Sequence, residues 1–202
     1  MRSIRRTAAA LLAAIATTTG AAAQARQPAR ETTVILVRHA EKVTSNPLNQ
    51  DPSLTARGRQ RAQELAALLR GRHIDAIITT QLKRTKMTGQ PLADALHIVP
   101  EETHMGHDTD ASAAQVAELI RTRHAGQTVL VVGHTTTVPK IIAALGGPRM
   151  GPICSSAYSN LFTLVLPATG TPRLAHAHYG AADPPGGHEC VNGIHEEHGH
   201  GR

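Results

Sequence analysis

Tryptophan is absent from this 202-residue chain, and its only aromatic side chains are Tyr158, Phe162 and Tyr179. A core must therefore be built from Ala, Val, Leu and Ile, and there is little material for an aromatic platform that stacks nucleic-acid bases. No window reaches the roughly 20 apolar residues of a transmembrane helix, so no membrane span is expected. An excess of charge is also missing. The formal net charge is +6, and it falls to +3 without Arg2, Arg5 and Arg6, too mild and too dispersed for a nucleic-acid partner. Cysteine is scarce, with Cys154 and Cys190 alone. Two cysteines in an exported chain can pair, but their positions in sequence do not say whether they meet.

What is present begins with a basic start, an apolar run from Ala8 to Ala16 and small residues through Ala25. Residues 1–25 read as a cleaved secretory signal, which makes the protein exported and, in a bacterium, periplasmic. With no cysteine near the cleavage region, a lipid anchor is not expected. The remainder is long enough for one core and is read as a single domain over residues 31–180. From residue 181 to 202 apolar periodicity is lost, and His188, His195, His198 and His200 lie among glycines and acids. This segment reads as a disordered tail, or as a site for zinc, copper or nickel.

Within the domain, Val34 to Val37 form a short apolar run of the kind buried on both faces of a sheet, and it ends abruptly in Arg38-His39. Thr55 is positioned as the N-cap of a helix carrying Ala62, Leu65, Ala66 and Leu69 on one face and stopping before Gly71. Ile74 to Ile78 is a second strand, and it leads to Arg84 in the first turn of a helix running to about Leu96, with a kink or break expected at Pro91. An arginine there adds to the anion site that a helix N-terminus offers. Ile98-Val99 is read as a third strand and Pro100 to Asp110 as a long loop over the site, before a helix with Val116, Leu119 and Ile120 on one face. Thr128 to Val132 repeats the opening geometry, an apolar strand delivering a histidine, His134, at its carboxyl end. A helix through Ile141, Ile142 and Leu145 and two strands, Leu161 to Leu166 and Arg173 to Tyr179, complete a three-layer α/β/α sandwich with a mostly parallel central sheet.

Arg38, His39, Arg84 and His134 thus converge on the sheet edge where ligands bind in open α/β folds. Guanidinium forks match phosphate oxygens bidentately, and a neutral imidazole can attack phosphorus. In four ordered motifs, Val37-Arg38-His39-Ala40-Glu41-Lys42, Leu54-Thr55-Ala56-Arg57-Gly58, Gln81-Leu82-Lys83-Arg84-Thr85 and Val131-Val132-Gly133-His134-Thr135, the chain resembles the histidine phosphatase superfamily, which includes the phosphoglycerate mutases, in its compact bacterial branch.

The resemblance implies that His39 takes the phosphoryl group as phosphohistidine, that Arg38, Arg84 and His134 bind phosphate, and that no metal or other cofactor takes part. Glu41 is assigned behind the site, Thr55 and Gly58 to structure, and Arg57 and Lys42 are the next cations should Arg84 not serve. Thr135 and Thr136 stand where some relatives carry a proton-donating carboxylate, which speaks against the acid-phosphatase and phytase branch. Other relatives place that acid in the loop after the arginine-bearing helix, where Glu101, Glu102, Asp108 and Asp110 are available, Asp108 foremost, with His104 and His107 further candidates. Without such an acid the enzyme favours good leaving groups. The short chain argues for a phosphatase over a mutase. Expected partners are a small phosphorylated substrate or a phosphoprotein, and the oligomeric state is open. The rival reading is a periplasmic protein of the same fold that binds phosphate or metal with little turnover.

Overall fold

The computed structural model describes residues 30–183. The expected signal, the four tail histidines and Cys190 lie outside the described residues. In order, the elements are β1 (Thr32–Arg38), α1 (Ala56–Leu69), β2 (Ala76–Thr80), α2 (Lys83–Leu96), β3 (Glu101–Thr103), α3 (Thr109–Arg123), β4 (Thr128–Gly133), α4 (Thr137–Ala144), β5 (Asn160–Leu166) and β6 (Arg173–His178). The sheet order is β3-β2-β4-β1-β5-β6. The first four of these strands are mutually parallel, and β5 alone runs against the rest.

Alternation along β1 explains the three layers. Val34 and Leu36 join Val129 and Val131 in a core with Val116 and Ile120 of α3 and Ile141 and Ile142 of α4. Ile35 and Val37 point the other way, with Leu130 and Val132, into a core with Leu65 and Leu69 of α1 and Leu92 of α2. Both faces of the strand are buried, so an unbroken apolar run is what this position requires. Each such side chain contributes about 1.5 to 3 kcal/mol on leaving water.

Register then sets the functional edge. Arg38 lies opposite Gly133 in the parallel β1–β4 ladder, and the His39 N–H continues it to the Gly133 carbonyl at 2.9 Å. The residues that follow, His39 and His134, are therefore delivered side by side.

Several details differ from the sequence reading. The third strand is Glu101–Thr103 rather than Ile98-Val99, and Val99 is 88% exposed. It pairs with the last three residues of β2, and two of its own three residues are charged, so no apolar run marks it. The expected loop over the site is correspondingly shorter, with its start in β3 and its end in α3. Helix α2 continues across Pro91. The domain also reaches past residue 180: Asp183 accepts from the Tyr158 and Ser159 N–H groups, and Arg61 donates to the carbonyls of Tyr179 and Ala181.

Candidate active site

His39 is 4% exposed and His134 is 5% exposed, and their ring centroids are 5.3 Å apart. The Nδ1–H of His39 donates to the Ala40 carbonyl at 2.8 Å, which leaves the lone pair on Nε2. Burial is the main reason its pKa is pushed down to about 2, and the charges of Arg38 and Arg84 and the neighbouring His134 add to it against the Ala40 bond. His134 is pushed down to about 3 by burial first, then by Arg84 and Arg38. Both rings are neutral at physiological pH, and both guanidinium groups act on both rings.

Arg38 is buried. Its Nη1 donates to the carbonyls of Cys154, Ser155 and Ala157 at 3.0, 2.9 and 3.1 Å, and its guanidinium carbon lies 4.0 Å from the centroid of the Tyr158 ring. Arg84 stands at the second position of α2. The Nε of each arginine is buried without a hydrogen-bond partner. Two unpaired guanidinium N–H donors beside two neutral imidazoles form a site that favours an anion, since buried donors left unsatisfied are costly. Burial lowers the pKa of both arginines.

Four threonines and a carboxylate, none singled out as site residues from the sequence, hold this group. Thr80 Oγ1 contacts His134 Nε2 at 3.2 Å and Thr85 Oγ1 at 2.8 Å, tying β2 and α2 to the histidine. Thr137 Oγ1 accepts the His134 N–H at 3.0 Å. Thr88 Oγ1 accepts the Ala40 N–H at 2.9 Å and donates to the Arg84 carbonyl at 2.7 Å, joining the two halves of the site. Asp51 Oδ1 takes the Lys83 N–H at 2.8 Å and its charge acts on Arg84. The helix N-terminus that the sequence suggested for phosphate is thus partly occupied by Asp51.

Glu41 faces the arginines of α1. It receives Arg61 bidentately, with Nε at 3.0 and 3.1 Å and Nη2 at 2.9 Å, and Arg57 Nε at 3.2 Å. Burial opposes the charge of Arg61, but Glu41 more than offsets it and the pKa is raised. Thr55 caps α1 by accepting the Gly58 N–H at 3.0 Å and itself bonds the Glu41 carbonyl. Arg57 thereby belongs to the Glu41 cluster. Lys42 is bridged to Leu54 through the backbone. A cleft of about 250 Å³ lined by Glu41, Arg57, Ser155, Ser156 and Tyr158 opens beside the pair, the Tyr158 ring being 6.4 Å from that of His39.

The carboxylates favoured from the sequence as proton donors are committed elsewhere. Asp108 caps α3, accepting from the Asp110 and Ala111 N–H groups at 2.9 and 3.0 Å, and these bonds lower its pKa. A carboxyl so held gives up its proton too readily to donate one at neutral pH. Glu101 pairs with His124 and Arg123, Glu102 with Lys86 and Asp110 with Lys140. His104 and His107 are exposed. Cys154 is buried and disulfide-bonded.

A family model described as the histidine phosphatase superfamily (branch 1) matches residues 34–108. Phosphoserine phosphatase 1 of Hydrogenobacter thermophilus is 29% identical, over 63% of this chain and 82% of that protein. The fold is shared with the protein histidine phosphatase SixA complexed with tungstate, at a TM-score of 0.57 and 18% identity over 72% of this chain and 96% of that one. A mycobacterial glucosyl-3-phosphoglycerate phosphatase gives 0.56 and 19% over 76% and 100%. With two histidines and two arginines gathered at the ends of parallel strands, the chain is similar in sequence to the histidine phosphatase superfamily over residues 34–108 and shares the fold of these solved phosphatases.

Proposed function

We propose that the chain is an exported phosphohydrolase that works through a phosphohistidine on His39. The lone pair of Nε2 attacks phosphorus, the bond to the leaving group breaks with its electrons on that group, and water then attacks the phosphohistidine to release phosphate. Arg38 and Arg84 bind the equatorial oxygens and stabilise charge that builds on them, and His134 adds a third contact. The observation that carries this reading is the pair of buried, unpartnered guanidinium Nε donors beside a neutral imidazole whose Nδ1 is tied to Ala40.

Substrate preference is argued from the carboxylates. The relatives are named for phosphoserine, glucosyl-3-phosphoglycerate and protein phosphohistidine, which range from poor to good leaving groups. Because Glu101, Glu102, Asp108 and Asp110 are all engaged with groups other than His39 and His134, good leaving groups fit best: an aryl phosphate, an acyl phosphate or a phosphoramidate such as phosphohistidine. The test compares mature protein with His39→Ala on para-nitrophenyl phosphate, with and without EDTA, and on phosphohistidine against phosphoserine. Acid quench during turnover should trap an acid-labile phosphoenzyme. Equal rates for the two proteins would remove the proposal, and phosphate binding without turnover would favour a binding protein instead.

A further inference from the structure

Of the three aromatic residues in the chain, Phe162 and Tyr179 are buried in the two cores, and Tyr158 alone stands half-buried, beside the phosphate site. Its backbone is fixed on both sides. The N–H groups of Tyr158 and Ser159 donate to Asp183 Oδ1 at 2.8 and 3.1 Å, and the Ala157 carbonyl accepts from Arg38 Nη1 at 3.1 Å. The ring is fixed too, because the guanidinium carbon of Arg38 lies 4.0 Å from its centroid, a cation–π contact. That ring also lines the cleft of about 250 Å³, together with Glu41, Arg57, Ser155 and Ser156. Three of these five residues are tied to the phosphate group: the Tyr158 ring meets Arg38, the Ser155 carbonyl accepts from Arg38 Nη1 at 2.9 Å, and Glu41 follows His39 by two residues. The phosphoryl oxygens are taken by the arginines and His134, so the cleft is left for the rest of the substrate.

We propose, resting on the phosphohydrolase reading above, that this cleft receives the leaving group and that Tyr158 selects a single flat ring there, an aryl or an imidazolyl group. Aromatic pairs attract with centroids about 4.5 to 7 Å apart. The Tyr158 ring stands 6.4 Å from that of His39, so a ring carried on a phosphoryl group beside His39 comes within its reach. The size agrees, since a cavity of about 150 Å³ is enough to hold benzene. The serine hydroxyls and the Glu41–Arg57 pair supply polar groups for a ring nitrogen or ring substituent, which a plain alkyl chain would leave unused. Tyr158 is thus a specificity-determining residue that acts on the leaving group and not on phosphorus.

The test measures kcat/KM of the mature protein on two matched pairs of good leaving groups, para-nitrophenyl phosphate against acetyl phosphate and phosphoimidazole against phosphoramidate, each pair with one ring substrate and one without a ring. In Tyr158→Leu the ratio of ring to ringless rates should fall about three- to tenfold, mostly through KM, whereas Tyr158→Phe should keep it within about twofold. Any loss of support for Arg38 lowers both members of a pair and cancels in the ratio. Melting temperatures verify folding, and Tyr158→Gln, which suits a half-exposed position, carries the same test if the leucine variant does not fold. A fall in the first pair alone assigns the cleft to aryl phosphates, and a fall in the second alone assigns it to phosphohistidine. Unchanged ratios in both pairs, or a loss in Tyr158→Phe as large as in Tyr158→Leu, overturn the proposal and leave the phosphatase intact. Absence of His39-dependent turnover on all four substrates would instead remove the phosphohydrolase reading, and this inference with it.

Discussion

The imidazoles of His39 and His134 meet edge to face, 5.3 Å apart, and each is held neutral by burial beside the same two arginines. A pair of histidines kept from protonation has a consequence for stability as well as chemistry. Their folded pKa values, about 2 and about 3, lie below the ordinary 6.5, so between those limits the unfolded chain binds more protons. Stability must then rise with pH through this window and fall as pH drops. From pH 6 to pH 4 the two together cost up to about 5 kcal/mol. Urea midpoints at pH 6, 5 and 4 measure it, and His39→Asn/His134→Asn should flatten the profile relative to wild type. Catalysis should show no loss from His39 protonation over the same range. An identical pH dependence of stability in the variant would show that neither ring is held as described.

Arg84 is tested by keeping its charge and removing its fork. Arg84→Lys leaves a point cation that cannot match two phosphate oxygens at once. The expected result is a fall in kcat/KM of roughly 10 to 1000 fold, or about 1.4 to 4 kcal/mol of transition-state stabilisation, with the melting temperature close to wild type. Full activity in the variant would return Arg84 to the helix surface.

Gly58 is needed for close approach. A Cβ there would lie 2.2 Å from the Glu41 carbonyl oxygen, a backbone atom with no room to give. Gly58→Ala should therefore push α1 off the loop that carries His39, costing about 1 to 3 kcal/mol and lowering the melting temperature by roughly 2 to 12 °C. Because Glu41 follows His39 by two residues, kcat/KM should fall as well. A stable, fully active variant would show that the two backbones separate without disturbing the site.

Much of the site was legible because a parallel sheet writes it locally. Apolar runs ending at Arg38-His39 and Gly133-His134 mark strand ends, and pairing of β1 with β4 brings those ends together. What was missed depends on contacts between distant segments. Asp51 reaches the Lys83 N–H across 32 positions, and no periodicity records that. Asp108 looks available in sequence because capping is visible only once α3 begins at Thr109. Arg61 did leave a signal: with Gly58, Ala62, Leu65, Ala66 and Leu69 it falls on the buried stripe of α1, where a charge must be paired. Counting only apolar residue types passed over it.

Asp51 separates two accounts of the carboxylate nearest Arg84 in electrostatic effect. As a positioning group it caps α2 through Oδ1 and offsets part of the guanidinium charge. As a general acid it would protonate the leaving oxygen, a task worth about 100 to 10,000 fold on poor leaving groups and far less on good ones. Asp51→Asn keeps an oxygen for the Lys83 N–H and removes the charge and the acidity. We expect its rate on para-nitrophenyl phosphate to stay within about threefold of wild type, and inhibition by inorganic phosphate to tighten about two- to fivefold as Arg84 loses an opposing charge. The ratio of aryl to alkyl phosphate rates should be unchanged. Asp51→Ala, which also loses the cap, should cost about 1 kcal/mol of stability. A collapse of alkyl phosphate hydrolysis in Asp51→Asn, with the aryl rate intact, would instead make Asp51 the proton donor and extend the substrate range to poor leaving groups.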